Sequence, residues 1–86
     1  MIPEVIIYTT TVCPYCIRAK ALLQKKGVTY QEINLTEHPE QRDAMVERAN
    51  GRRSVPQIFI DAYHVGGCDD LHALEAAGKL DQLLGQ

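Results

Sequence analysis

The sequence has too few cysteines for a zinc site of the four-cysteine kind. Only three of its 86 residues are cysteine, so the second Cys-x-x-Cys pair of a zinc knuckle is missing. It also has little net charge, because nine Lys and Arg against eleven Asp and Glu give −2 at pH 7. That balance predicts neither a nucleic-acid partner nor a membrane partner.

Long hydrophobic runs are absent as well. The apolar run Val5-Ile6-Ile7-Tyr8 is far too short to cross a membrane, and no basic segment typical of a signal peptide precedes it. We therefore expect a cytoplasmic protein in a reducing compartment. There a permanent structural disulfide is disfavoured, and a catalytic or metal-binding use of the thiols is favoured.

What the chain does have is the composition of a folded domain. Apolar residues make up 45% of it, the charged residues are well distributed, and no repeat, linker or low-complexity stretch interrupts it. This composition excludes a disordered chain. The length predicts a single domain over 1–86, short enough that its elements must pack economically.

Hydrophobic patterning predicts the element order β-α-β-α-β-β-α. Strand, helix, strand without a hairpin turn implies a parallel pair with a right-handed crossover, whereas the tight turn Asp61-Ala62 implies an antiparallel hairpin. That order predicts a thioredoxin-like fold of the α/β class, a four-stranded mixed sheet flanked by helices. The predicted strands cover 4–8, 28–34, 56–60 and 63–65, and the predicted helices cover 14–26, 37–49 and 69–77, with a short final turn from Leu80.

The segment Cys13-Pro14-Tyr15-Cys16 joins the first predicted strand to the first predicted helix. A Cys-x-x-Cys at such a turn is typical of a redox dithiol. The N–H groups and dipole of the helix N-terminus stabilise a thiolate at Cys13, which we expect to be exposed and mostly ionised near neutrality. Cys16 lies three residues later, shielded and near enough to close a disulfide. The alternatives are half of a metal site or two incidental thiols.

Two further segments combine glycine or proline with polar residues. In Ser54-Val55-Pro56, a proline at the start of a strand frees the preceding backbone from pairing, although a plain loop-to-strand junction explains the pattern equally well. In Gly66-Gly67-Cys68-Asp69-Asp70, the glycines allow close approach of a ligand, and the helix N-terminus beyond them offers N–H groups to a carboxylate. Asp69 could accept from a ligand ammonium or simply cap the helix, which composition alone favours.

Together these segments resemble the glutaredoxins, and closely the small bacterial glutaredoxin-3 type. The resemblance covers nearly the whole chain. The dithiol alone is moderately specific, but all the motifs in this order are highly specific. The matching segments are Tyr8-Thr9, Cys13-Pro14-Tyr15-Cys16, Ala19-Lys20-Ala21-Leu22-Leu23 with Gly27, Val55-Pro56-Gln57-Ile58-Phe59-Ile60 and Gly66-Gly67-Cys68-Asp69-Asp70-Leu71.

The resemblance implies glutathione as the partner thiol and co-substrate. It makes Cys13 the nucleophile that takes up the glutathionyl group and Cys16 the resolving thiol. Tyr15 would flank the bound tripeptide. The backbone of Val55 would pair with the cysteinyl unit of glutathione in a strand-like contact, which a cis bond before Pro56 makes possible.

The resemblance also implies a site for the other end of glutathione. The turn at Gly67, Cys68 and Asp69 would bind the γ-glutamyl carboxylate through backbone N–H groups and the ammonium through Asp69. This agrees with the anion binding inferred from the residues alone. As a free, small and semi-buried thiol, Cys68 is more often inert than functional.

Two positions depart from the pattern of the family. Many relatives carry Lys where this chain has Thr10, and that lysine would help to hold the thiolate and the glycyl carboxylate of glutathione. Arg52 or Arg53 could reach the same carboxylate. Ser54 replaces the usual Thr before Val-Pro, and it keeps the hydroxyl group.

The resemblance favours an enzyme, a glutathione-dependent thiol–disulfide oxidoreductase. It would reduce protein–glutathione mixed disulfides with Cys13 and protein disulfides with both thiols. The alternative is a carrier in which Cys13 and glutathione ligate a [2Fe–2S] cluster bridged between two subunits, but Pro14 and the second thiol argue against it. We expect a monomer that needs no metal, with glutathione and glutathionylated or disulfide-containing proteins as its partners.

Overall fold

The computed structural model describes residues 2–86, so that Met1 of the predicted domain lies outside the described residues. Four strands, four α-helices and one 3₁₀ turn follow one another along the chain. In order they are β1 (Val5–Thr9), α1 (Pro14–Lys25), β2 (Gln31–Asn34), the 3₁₀ turn Pro39–Gln41, α2 (Arg42–Arg48), β3 (Gln57–Ile60), β4 (Tyr63–Gly66), α3 (Cys68–Ala76) and α4 (Leu80–Leu83).

The strands form one mixed sheet in the order β2-β1-β3-β4. β1 pairs in parallel with β2 and antiparallel with β3, and β3 pairs antiparallel with β4. The hairpin between β3 and β4 turns at Asp61, whose φ is 51°. These pairings confirm the predicted four-stranded mixed sheet and the predicted thioredoxin-like architecture.

Both faces of the sheet are covered by helices, which is why all five residues of β1 are buried. Successive side chains of a strand point to opposite faces, so Ile7 joins the core on one face and Ile6 the core on the other. The first core includes residues of α1, α3 and α4, and the second includes Met45 of α2. Within residues 2–86, no helix combines the length and the apolar character needed to span a membrane.

The predicted helix 37–49 is wrong over its first turns. The side-chain oxygen of Asn34 accepts hydrogen bonds from the backbone N–H groups of Thr36 and Glu37, at 2.8 Å and 3.2 Å. This local turn competes with helix formation. Residues Pro39–Gln41 then wind as 3₁₀ before α2 begins at Arg42.

The topology brings three distant segments of the chain to the same edge of the sheet. β1 ends at Thr9, and α1 follows shortly after it. Because β3 runs antiparallel to β1, its first residue, Gln57, pairs with Tyr8 near that end. β4 returns antiparallel to β3, so Gly66 pairs with Ile58 beside the same edge. The dithiol, the segment 54–56 and the turn 66–70 therefore meet there.

Candidate active site

Cys13 is the N-cap residue of α1, and Pro14 begins the helix. Proline is well suited to that position because its missing N–H has no helical partner there. The Sγ atom of Cys13 accepts the backbone N–H of Cys16 at 3.0 Å, which is a capping contact made by sulfur. The two cysteines are joined as a disulfide, with their Cα atoms 5.2 Å apart. The predicted dithiol is therefore able to close.

The two cysteine residues differ in exposure, but less than predicted. Cys16 is 1% exposed and Cys13 is 8% exposed, so the expectation of an exposed Cys13 is wrong. The reason is tertiary, because the Cys13 side chain turns back over the first helical turn and its Sγ lies 4.0 Å from the carbonyl oxygen of Val55. Cys13 remains the more accessible of the pair.

The segment 54–56 leaves the sheet before it reaches the dithiol. The β1–β3 ladder ends at the pair Tyr8 and Gln57, so Val55 lies beyond the last paired residue. The Val55–Pro56 peptide bond is cis, as the resemblance implies. The Val55 backbone is therefore free of the ladder and borders the dithiol.

The turn from β4 to α3 requires glycine at its first position. Gly66 has a φ of +112°, and a side chain there would collide with the Asp70 carboxylate and the Arg52 guanidinium. At Gly67 a Cβ would meet only ordinary contacts, the nearest being the carbonyl oxygen of Pro56 at 3.5 Å. The conformation of the turn therefore requires glycine at position 66. At position 67 the absence of a side chain instead leaves open space beside Pro56.

The cap of α3 is made by Asp70 and not by Asp69. The Asp70 carboxylate accepts the backbone N–H of Gly67 at 2.9 Å and pairs with the Arg52 guanidinium at 3.1 Å. The hydrogen bond from Gly67, together with the charge of Arg52, holds the pKa of Asp70 below its usual value. Asp69 is exposed and remains available to a ligand.

One open cavity is lined by the residues that the resemblance implicates in glutathione binding. It runs beside the dithiol, between the segment 54–56 and the N-terminus of α3. Its lining residues are Tyr15, Arg52, Ser54, Val55, Pro56, Gly67, Cys68, Asp69 and Asp70. All seven residues predicted to bind glutathione are among them.

The two remaining lining residues are Arg52 and Asp70. Of the two arginines that could supply the missing positive charge, Arg52 lines the cavity and Arg53 does not. The carbonyl oxygen of Arg53 accepts from the Arg42 side chain at 2.8 Å. Thr10 does not line the cavity either, and its hydroxyl donates to the carbonyl oxygen of Val12 at 3.4 Å. No sequence motif predicts the Arg52–Asp70 pair, because the two residues lie 18 positions apart in the chain.

Cys68 is a buried free thiol in the wall of the cavity. Burial raises the pKa of the Cys68 thiol, which keeps it protonated. His72 Nδ1 lies 2.9 Å from the Cys68 carbonyl oxygen and 3.4 Å from its Sγ. Since a carbonyl oxygen can only accept, Nδ1 carries the hydrogen and cannot take a proton from the thiol. The surroundings of Cys68 therefore favour an inert thiol.

Comparison with known proteins gives one consistent family. A family model described as Glutaredoxin matches residues 5–65. A protein of Pseudomonas aeruginosa named Glutaredoxin is 63% identical over 82 residues, covering 95% of this chain and 96% of that protein. Glutaredoxin 3 of Escherichia coli is 59% identical over 78 residues, covering 91% of this chain and 93% of that protein.

The fold is also shared with solved structures. The crystal structure of a buckwheat glutaredoxin–glutathione complex superposes with a TM-score of 0.86 at 32% identity. The match covers 96% of this chain and 77% of the buckwheat chain. The similarity therefore extends over almost all of the present structure.

Proposed function

Because the chain belongs to the glutaredoxin family and is a glutathione-dependent thiol–disulfide oxidoreductase, we propose that Cys13 is its nucleophile and Cys16 its resolving thiol. One observation carries this assignment. Cys13 caps α1 with its sulfur 3.0 Å from the Cys16 N–H, while Cys16 lies behind it, almost fully buried. That N–H and the helix N-terminus stabilise negative charge on Cys13, whereas burial raises the pKa of the Cys68 thiol at the start of α3.

The reduction of a protein–glutathione mixed disulfide needs only Cys13. Its thiolate attacks the glutathione sulfur, forming a Cys13–glutathione disulfide and releasing the protein as a thiolate, which takes up a proton from water. The thiolate of a second glutathione then attacks the sulfur of the bound one. Oxidised glutathione leaves, and the Cys13 thiolate is restored.

The reduction of a protein disulfide uses both thiols. Cys13 attacks one substrate sulfur and forms a mixed disulfide, with the other substrate sulfur leaving as a thiolate. Cys16, after losing its proton, attacks the Cys13 sulfur, which releases the reduced protein and leaves the Cys13–Cys16 disulfide. Two glutathione molecules then reduce this disulfide and become oxidised glutathione.

The middle of glutathione binds along the segment 54–56. The unpaired backbone of Val55 offers a donor and an acceptor to the cysteinyl unit in a strand-like contact. This pose is supported by the 4.0 Å between Val55 O and Cys13 Sγ, since a ligand paired with Val55 then brings its sulfur next to the nucleophile. Tyr15, Ser54 and Pro56 form the walls around it.

The γ-glutamyl end binds at the turn that opens α3. Its carboxylate accepts from the backbone N–H groups of Cys68 and Asp69, next to Gly67, whose own N–H stays with the Asp70 carboxylate. Its ammonium donates to Asp69. The Arg52 guanidinium lies beside Gly67, where it adds a positive charge near the carboxylate. This arrangement uses the cavity as it is built, with Asp70 retained as the cap.

Protein substrates dock on the apolar residues that surround the dithiol. Val12 and Ile17 flank it in sequence and are 88% and 62% exposed, and Tyr15 between the two cysteines is 55% exposed. Such exposed apolar side chains are suited to contact with a partner surface.

We further propose that the enzyme acts as a monomer in the cytoplasm, where a reduced glutathione pool drives the cycle.

The [2Fe–2S] carrier is not favoured. An internal thiol, Cys16, lies within disulfide distance of Cys13 and competes with a cluster for it. Ultraviolet–visible absorption of the freshly purified protein tests this directly. Charge-transfer bands in the visible region would support the carrier and contradict a purely thiol-based function.

The roles of the two thiols are tested by serine substitutions. We expect Cys13→Ser to abolish all activity. Cys16→Ser should keep the reduction of glutathionylated substrate and lose the dithiol reduction of protein disulfides, because only the second reaction needs the resolving thiol. Cys68→Ser serves as the matched control and should retain both activities. Equal loss of the first activity in Cys13→Ser and Cys16→Ser would contradict the assignment.

A further inference from the structure

Gln57 is a fully buried polar side chain directly after the glutathione-binding segment. Its amide nitrogen donates to the carbonyl oxygen of Ser54 at 3.0 Å and to the Ser54 hydroxyl at 3.3 Å. Its amide oxygen lies 2.7 Å from Nε2 of His64 on β4. Burying an amide is unfavourable unless its hydrogen bonds are made, and here both ends are satisfied.

The partners of Gln57 fix its orientation. A carbonyl oxygen can only accept, so the end of the amide that faces Ser54 O must be the nitrogen. The oxygen then faces His64, and Nε2 of the imidazole must be the donor. Nε2 carries a hydrogen in the charged imidazole and in one neutral tautomer, so the contact does not depend on the charge of His64.

His64 is itself held by aromatic packing. Its ring stacks on Phe59, with centroids 4.9 Å apart and planes inclined by 22°. Phe59 is 2% exposed and anchors this face of the sheet. A rigid chain of contacts therefore runs from the core through His64 and Gln57 to Ser54.

The last link of the chain acts on a segment that has no partner in the sheet. Ser54 is exposed and Val55 only half-buried, and both lie outside the sheet. The Gln57 side chain spans the turn from Ser54 and fastens its backbone carbonyl and its hydroxyl together. Val55, whose backbone faces Cys13, is enclosed between these attachment points.

We propose that Gln57 is a positioning residue for glutathione, acting through Ser54 on the backbone of Val55, with His64 fixing the orientation of its amide. The inference rests on the proposed pose at Val55. It makes the affinity for glutathione depend on a side chain that neither lines the cavity nor touches the thiols. Because the Val55 contact is made in the ground state and the transition state alike, the effect belongs to KM and not to kcat.

Gln57→Met keeps the length of the side chain and removes all three hydrogen bonds. We expect it to raise the KM for glutathionylated substrate about threefold to tenfold and to leave kcat within about twofold. Gln57→Glu keeps the acceptor for His64 but cannot donate to Ser54, so it should raise KM as well. His64→Phe keeps the stacking on Phe59 and loses the donor, and it should raise KM about twofold to threefold.

Two controls separate positioning from general loss of stability. Ile7→Val removes one buried methyl group from the opposite face of the sheet, and it should leave KM unchanged even though it lowers the melting temperature. The pH profile of Cys13 alkylation should be the same in Gln57→Met as in the original protein. A rise in KM that Ile7→Val reproduces, or a changed alkylation profile, would overturn the inference.

Titration of the reduced, ¹⁵N-labelled protein with glutathione distinguishes the inference from the pose on which it rests. In the original protein the Val55 amide signal should shift on binding, and in Gln57→Met the same shift should need several times more glutathione. A Val55 shift with equal affinity in both proteins overturns the role of Gln57. A Val55 signal that never responds in the original protein overturns the proposed pose instead.

Discussion

At the scale of single residues, two neighbouring carboxylates have different surroundings. Asp70 is engaged by Gly67 and Arg52, whereas Asp69 is exposed at the cavity. The sequence favoured capping by Asp69, and it left the ligand contact as the second choice. With the cap assigned to Asp70, an effect of Asp69 on catalysis can be measured without a large effect on folding.

Asp69→Ala should raise the KM for glutathionylated substrate about tenfold or more and change kcat less, because the ammonium contact is a charge-assisted hydrogen bond made in both states. The melting temperature should stay nearly unchanged, since the cap remains. Steady-state kinetics and thermal unfolding of the same preparations check both statements. An unchanged KM with a lowered melting temperature would leave Asp69 only a structural role.

Thr10 marks the position where many relatives carry a positive charge. Thr10→Lys should shift the pH profile of Cys13 alkylation to lower pH and tighten glutathione binding, because a lysine there adds charge near the thiolate. At this half-buried site the gain should be on the order of 1 kcal/mol and smaller in high salt. The turnover rate need not follow, since a less basic thiolate is a poorer nucleophile.

Alkylation profiles of both proteins at two salt concentrations make the test, with Thr11→Lys, one position further along, as the matched control. A profile that does not move in Thr10→Lys would mean that position 10 does not face the thiolate. Arg52, which lines the cavity beside Gly67, would then remain as a positive charge for glutathione, at its γ-glutamyl end.

At the scale of elements, α3 depends on an ionised carboxylate at its start. Because the pKa of Asp70 is lowered in the folded protein, the charged form stabilises the fold. This contribution is present above the unfolded pKa of an Asp, at about pH 4, and it is lost as the pH falls through the lower folded value. Asp70→Asn should therefore lower the free energy of unfolding at neutral pH.

In acid the difference between Asp70→Asn and the original protein should disappear. Urea unfolding at a series of pH values measures it, and the gap at neutral pH should also shrink in high salt, because about half of each partner side chain is exposed. Asp43→Asn, on α2, controls for the loss of one charge. A difference that is constant with pH would contradict an electrostatic origin.

The elements that sequence patterns predicted best are those with local signals. Cys13 and Pro14 predict the start of α1 correctly. Short apolar runs predict the strands. The predicted boundaries are wrong where a polar contact or a distant residue determines the backbone conformation. Asn34 accepts hydrogen bonds that turn the chain before α2. The strand predicted over 28–34 pairs with β1 only from Gln31, which lies opposite Ile6.

At the scale of the whole molecule, stability depends on two small cores on either side of one sheet. Leu23 is 0% exposed and belongs to the core under α1, α3 and α4. Leu23→Ala should lower the free energy of unfolding by about 2–5 kcal/mol, since it removes apolar contacts and leaves a cavity. In a chain this short, that is a large part of the total.

Ile17→Ala is the matched control, because Ile17 lies on the same helix but is 62% exposed. It should change the free energy of unfolding by about 0.5 kcal/mol or less. Denaturant unfolding with both thiols reduced compares the two variants. Similar losses in both would show that α1 does not pack as described.

The candidate site could be predicted from the sequence to the extent that its parts are contiguous. The dithiol, Ser54-Val55-Pro56 and the turn from Gly66 are each short motifs, and the topology brings them together as expected. Two contacts of the site could not be predicted from sequence spacing. Arg52 and Asp70 are far apart in the chain, and Gln57 and His64 lie on different strands. The low exposure of Cys13 is of the same kind, because it depends on Val55.

The central place of β1 in the sheet has a consequence for hydrogen exchange. Its edges are paired with β2 and β3 and its faces are covered, so its amide protons should exchange with deuterium only through opening of most of the molecule. The short helix α2, of seven residues, should exchange through local opening. The slowest-exchanging amides of the chain therefore directly precede the loop to Cys13, whose covalent bonding changes in every turnover.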